Sequence, residues 1–144
     1  MKRVKNMEKI DLGKYNCTVE ATMDIIGGKW KLNIICLLKN GEPMRYNQIR
    51  RGVPGITNVM LAQSLKSLES YGLLQRTQYN EVPVRVEYQL TRDGMELLDL
   101  LRQLRDWGNR YMISHALEVQ SLCPGCLMHE PMELFHENSC APEL

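Results

Sequence analysis

The sequence predicts a mainly α-helical domain with a small β-hairpin, an α+β arrangement closed by one long helix. Three observations predict it. Apolar residues recur at helical spacing from Thr18 to Tyr71. The period then drops to two over Leu73–Tyr79 and Arg85–Leu90. Helical spacing returns from Arg92 to Leu117, a helix of about 40 Å at ~1.5 Å per residue.

Residues 1–15 are polar and without a strong period, and read as a loose arm. Thr18–Ile26 carries Val19, Met23, Ile25 and Ile26 on an amphipathic helix stopped by Gly27-Gly28. Trp30–Leu38 places Trp30, Ile34, Ile35, Leu37 and Leu38 at helical spacing, with Asn40-Gly41 as its stop. Pro43–Tyr46 reads as a short extended link. Asn47–Arg51 has room for one or two helical turns before Gly52, Pro54 and Gly55 break it. Thr57 caps the next helix, which ends at Tyr71-Gly72. Leu61, Leu65 and Leu68 share one of its faces, while Val59, Gln63 and Lys66 point away, with Met60 at the margin.

In the second alternating run, Val86, Tyr88 and Leu90 face one way and Arg85, Glu87 and Gln89 the other. Asn80–Val84 is a link of hairpin length. Thr91 caps the final helix, which carries Met95, Leu97, Leu98, Leu100, Leu101, Leu104, Trp107 and Tyr111. That stripe is too wide for one contact, so part of it is expected on the core and part on a second subunit. Three central helices followed by a hairpin make a winged helix-turn-helix, with the Thr57-capped helix as recognition helix, the hairpin as wing and the long helix for dimerisation. The domain is expected over residues 16–117, with an appendage over 118–144.

Composition is that of a folded soluble chain, 44% apolar and 24% charged. No apolar run approaches a membrane span, and the basic start runs into Glu8 and Asp11 rather than a signal peptide's apolar block. A cytoplasmic protein with no membrane partner is expected. The net charge of +1 conceals two unlike parts. All 18 Lys and Arg lie at or before Arg110 with 12 of the 17 acids, and the other five acids follow without a single Lys or Arg. Such asymmetry suits an anionic partner for the basic part, or only a solvated basic surface. Of the five cysteines, three fall in the last 22 residues. An odd count without a signal peptide argues against a disulfide scaffold. Walker loop, Rossmann fingerprint and nucleophile elbow are all missing, so no enzyme is expected.

Several strings share one order and spacing: Cys17-Thr18-Val19-Glu20, Ile25-Ile26-Gly27-Gly28-Lys29-Trp30, Pro54-Gly55-Ile56-Thr57, Glu69-x-x-Gly72-Leu73, Val82-Pro83-Val84-Arg85-Val86-Glu87-Tyr88 and Leu90-Thr91-x-x-Gly94. Together they resemble the HxlR-type transcription regulators, small bacterial relatives of the MarR winged helices, over about Cys17 to Tyr111. Thr18 departs from the proline usual there but also suits a helix start. The tail beyond Leu122 is not a family feature. The resemblance implies a homodimer, built by the first and last helices, on a near-palindromic double-stranded DNA operator. It also implies that Cys17 stands where several members sense electrophiles, quinones or oxidants.

The candidate groove-reading residues are Thr57, Asn58, Val59, Gln63 and Lys66. Asn and Gln pair bidentately with adenine, and an apolar side chain meets the thymine methyl. The bland alternative is a capping Thr57 and polar neighbours facing water. Candidate phosphate cations are Lys29, Arg45, Arg50, Arg51, Arg76 and Arg85, with Arg85 at the wing tip foremost; the alternative is ordinary surface charge. Cys17 lies at a helix N-terminus with Lys14 nearby, a setting that favours the thiolate, though cysteines are more often small buried hydrophobes. Cys36, inside an apolar helix, reads as core.

In the tail, Cys123-Pro124-Gly125-Cys126 with His129, His136 and Cys140 reads as a candidate zinc site, as a dithiol redox pair, or as a merely packed or unstructured segment. Two rival functions follow: a thiol oxidoreductase or metal-sensing protein using Cys123 and Cys126, and a winged helix that binds protein instead of DNA. The basic recognition region argues against both.

Overall fold

The computed structural model describes residues 11–117. Its elements are α1 (Thr18–Ile26), α2 (Lys29–Leu37), β1 (Met44–Arg45), α3 (Tyr46–Gly52), α4 (Asn58–Ser70), β2 (Leu74–Tyr79), β3 (Arg85–Leu90) and α5 (Arg92–Ser114). The starts of α4 and α5 fall where the capping chemistry places them. Thr57 Oγ1 accepts from the Met60 amide at 3.2 Å and Thr91 Oγ1 from the Gly94 amide at 3.2 Å. α4 ends at Ser70 with Tyr71 as C-cap, and the next residue, Gly72, takes a φ of +72°, a conformation side chains with a Cβ avoid.

The sheet is antiparallel in the order β1-β3-β2. The expected hairpin is therefore joined by a third strand: the link before α3 pairs Met44 with Tyr88 and Arg45 with Glu87. A two-residue strand has no alternation to read, so only the partner reveals it. The core lies between α2, α4, the sheet and the start of α5, and includes Ile34, Ile35, Leu38, Ile49, Leu61, Leu65, Leu68, Leu74, Leu90 and Leu98. Each such side chain contributes about 1.5–3 kcal/mol through removal of apolar surface from water.

Two recurring strings of the sequence meet at one seam. Thr91 donates its amide to the Leu73 carbonyl at 3.0 Å and its hydroxyl to the Gly72 carbonyl at 2.5 Å. One turn on, Gly94 lies so close that a Cβ there would overlap the Leu73 carbonyl oxygen and stand 3.1 Å from Leu90 Cδ2. Glu69-x-x-Gly72-Leu73 and Leu90-Thr91-x-x-Gly94 are thus the two sides of a close contact between the wing's base and α5.

Three expectations need correction. Residues 11–15 are not wholly loose: Leu12–Lys14 form a turn of 3₁₀ helix, and Tyr15 donates its hydroxyl to Asp24 at 2.6 Å. α5 ends at Ser114 rather than Leu117, with Ala116 at a φ of +52° just beyond. Cys36 is half-buried rather than core, because it flanks the inward face set by Ile34, Ile35 and Leu38. No helix among the described residues is long and apolar enough to cross a membrane.

Candidate nucleic-acid interface

α4 is amphipathic in the manner a groove-entering helix requires. Leu61, Leu65 and Leu68 are buried, while Asn58, Val59, Gln63 and Lys66 are exposed. Val59 is 65% exposed on this face, so its methyl groups are available to a partner. Ala62 completes this face between Asn58 and Lys66 and was not singled out from the sequence. Its i+3 spacing from Val59 and i+4 spacing from Asn58 is the signal that marks it. A small side chain at mid-face lets the helix backbone approach a groove closely.

Thr57 is committed to its cap, which fixes where the helix starts. Tyr46, at the start of α3, donates its hydroxyl to the Asn58 carbonyl at 3.2 Å, with Asn58 Oδ1 3.4 Å away. The first turn of α4 is therefore anchored to the preceding helix. Between α3 and α4, Asn47, Arg50, Arg51, Val53, Gly55 and Ile56 line an open hollow. Arg51 Nε donates to the Asn47 carbonyl at 3.3 Å, which steers its guanidinium along the helix. Lys29 heads α2 with its ammonium 4.3 Å from the Trp30 ring centroid. Trp30 itself reaches the turn at Gly55, where an added Cβ would lie 3.8 Å from Cη2. Lys29, Arg50 and Arg51 thus flank the entry to α4.

Pairing separates the cations into two groups. Arg92, Arg102 and Arg105 are bonded to Glu96, Asp99 and Asp106 along α5, at 3.2, 2.8 and 2.7 Å. Lys29, Arg45, Arg50, Arg51, Lys66 and Arg76 form no ion pair among the described residues. Arg45 sits exposed at the junction of β1 and α3, its amide donating to Gln48 Oε1 at 2.8 Å, and Arg76 lies exposed on β2.

Arg85 differs from the other candidates. It opens β3 rather than standing at the tip, and its guanidinium is bound by Glu81 at 3.0 Å and Glu87 at 3.1 Å. The alternation along β3 puts Glu87 on the same face as Arg85, but spacing could not show Glu81 folding onto it from the loop.

A second surface is apolar. α5 buries Leu98 and packs Met95, Leu97 and Leu101 against the core. Leu100, Leu104, Trp107 and Tyr111 remain exposed, as do Val19 and Met23 one turn apart on α1. Trp107 and Tyr111 stack at 5.2 Å between centroids, and Tyr111 and His115 at 4.2 Å. Cys17 is the N-cap residue of α1, exposed, its carbonyl accepting from the Ala21 amide at 3.3 Å. Two side-chain contacts hold its flanks: Tyr15 to Asp24, and the Asn16 amide to Glu20 Oε2 at 2.8 Å. No group of three or more metal-ligating side chains occurs among the described residues. Cys123, Cys126, His129, His136 and Cys140 lie outside them.

A Thr-capped amphipathic helix, cations around its entry that pair with no acid among the described residues, and a hairpin wing in a three-stranded sheet define a winged-helix DNA-binding transcription regulator. The HxlR-like helix-turn-helix family model matches residues 25–116, and the chain belongs to that family. An HTH-type transcriptional regulator of Methanothermobacter thermautotrophicus is 46% identical over 103 residues, covering 70% of this chain and 78% of the relative. Among solved structures, the redox regulator HypR in its oxidized form matches with a TM-score of 0.58 and 41% identity, over 65% of this chain and 96% of that one. The reduced form of the regulator YodB from B. subtilis matches with a TM-score of 0.61 and 31% identity, over 67% and 95%.

Proposed function

We propose that the chain acts as a homodimer that binds a near-palindromic operator and responds to oxidants or electrophiles through Cys17. The exposed face of α4 carries the DNA reading. Asn58 and Gln63 offer bidentate contacts to adenine, Val59 and Ala62 suit thymine methyls, and Lys66 with the unpaired arginines supplies phosphate contacts. The uncovered apolar residues of α1 and α5 carry the dimer reading. Exposed apolar residues on two helices favour association, and a symmetric pair covers them on both copies at once.

Cys17 is the exposed N-cap residue of α1, the helix whose uncovered Val19 and Met23 belong to the dimer reading, so its thiol is accessible to reagents. Thiol modification there changes the packing of α1 and so the separation of the two recognition helices. A bias of ~1.4 kcal/mol between two dimer arrangements changes operator affinity about tenfold. HypR and YodB, a redox regulator and a regulator solved in its reduced form, support this reading by likeness.

The deciding experiment is a gel shift on the gene's own upstream DNA, with and without a quinone or diamide, using the wild type and Cys17→Ser. Binding that is sequence-selective, and lost on treatment only when Cys17 is present, is the expected result. Absence of any sequence preference at low salt removes the operator reading. An equal response in Cys17→Ser removes the sensing reading. The zinc reading of the tail is decided separately, by elemental analysis of the purified chain.

A further inference from the structure

We propose that Arg85 shapes the wing without touching DNA, and that Arg76 on the neighbouring strand is the wing's phosphate-binding cation. The proposal deepens the DNA-binding reading and rests on it.

The guanidinium of Arg85 is already in use. Nη2 meets Glu81 at 3.0 Å, Nη1 meets Glu87 at 3.1 Å, and the central carbon lies 3.9 Å from the centroid of the Tyr79 ring. The side chain is only 27% exposed, and its Nε is buried with no hydrogen-bond partner among the described residues. Tyr79 and Arg85 are the last paired residues of the hairpin, and Glu81 belongs to the loop beyond them. The contacts therefore close the base of the 80–84 loop from both strands and from the loop itself. One guanidinium between two carboxylates also leaves the cluster with a net negative charge. A phosphate that drew Arg85 away would leave two carboxylates unpaired beside a third anion, and like charges at such separations repel.

Arg76 has the opposite surroundings. Directly paired residues of antiparallel strands share a face. Leu74 pairs with Leu90, Arg76 with Tyr88 and Gln78 with Val86, so Arg76 and Gln78 continue the face that packs on the core. That is the face carrying α4. Tyr79, Arg85, Thr77 and Glu87 occupy the reverse face. Arg76 is exposed, and among the described residues it bonds to Gln78 Oε1 at 3.2 Å, a neutral group, and meets no acid. A cation on the α4 side of the wing, free of acids, is placed to meet the backbone flanking the groove that α4 enters.

The test measures binding of the full chain to a duplex that the wild type selects from a random-sequence library, over a series of salt concentrations. Each neutralised phosphate adds ~0.9 to the slope of log K against log salt. With two wings in the dimer, Arg76→Gln is expected to flatten the slope by about two. Arg85→Gln is expected to keep the slope and weaken binding about three- to fivefold at every salt, the scale on which one part-exposed ion-pair cluster biases a loop. Arg85→Lys does not restore the loss, because one ammonium lacks the fork that bridges both carboxylates, whereas a phosphate contact tolerates lysine.

Hydrogen exchange gives a second readout without DNA. Amides within 80–84 exchange faster in Arg85→Gln and, equally, in the Glu81→Gln/Glu87→Gln double variant, and remain unchanged in Arg76→Gln. A flattened slope in Arg85→Gln that Arg85→Lys repairs overturns the assignment, as does an unchanged slope in Arg76→Gln. If the wild type itself binds no duplex in a salt-dependent way, the DNA-binding reading fails along with Arg76's role. The exchange measurement then still decides whether Arg85 holds the loop.

Discussion

Gly94 illustrates how one residue sets a joint. No Cβ fits there without moving the Leu73 backbone, so α5 can approach the wing's base only through a glycine. Gly94→Ala is expected to destabilise the fold by about 2–3 kcal/mol, read as a lower urea midpoint with an unchanged m-value. Tyr15 sets a different joint, beside Cys17. Its hydrogen bond to Asp24 raises the phenol's pKa above the ordinary 10.0, because ionisation would set two anions 2.6 Å apart. A raised folded value means that the tether's contribution is complete below pH 10.0 and is lost as pH climbs through the folded value. Ultraviolet titration should find one tyrosine ionising late, and Asp24→Asn should return it toward the ordinary range.

At the scale of elements, α4 separates stability from recognition on opposite faces. Leu65→Ala removes a side chain that is 2% exposed and is expected to cost about 2–5 kcal/mol of stability. Gln63→Ala, on the exposed face, should leave thermal unfolding unchanged and weaken binding to a selected duplex by about 1–3 kcal/mol, measured by fluorescence anisotropy. Both faces of α4 were legible in the sequence, because a helical period of ~3.6 assigns sides before any partner is known. Ala62 was not singled out, since alanine carries no polar signal and only its spacing from Asn58 and Val59 places it on the exposed face. Nor was β1, whose two residues become a strand only when β3 lies alongside.

For the whole molecule, the domain is held by one core and leaves one apolar surface uncovered. Leu104→Glu places a charge in the middle of the exposed α5 stripe, between Leu100 and Trp107. It should leave the monomer folded by circular dichroism, since Leu104 is 53% exposed, and shift sedimentation from dimer to monomer. With one half-site engaged instead of two, operator affinity should fall by more than tenfold, because the second helix no longer binds at high effective concentration.

The sequence by itself determined the order of the five helices and the hairpin, the caps at Thr57 and Thr91, the inward leucines of α4 and the over-wide stripe of α5. These are local matters of period and capping, settled within one or two helical turns. It also showed that the basic charge stops at Arg110. Only the tertiary structure decided which of those cations are free. Arg85 and Arg76 look alike in sequence, each an arginine in an alternating strand. The period of two along β3 sets Glu87 beside Arg85, folding the 80–84 loop back adds Glu81, and the strand register sends Arg76 to the opposite face, which packs on the core. Charge is written residue by residue, whereas its pairing depends on distances that exist only after the strands have met.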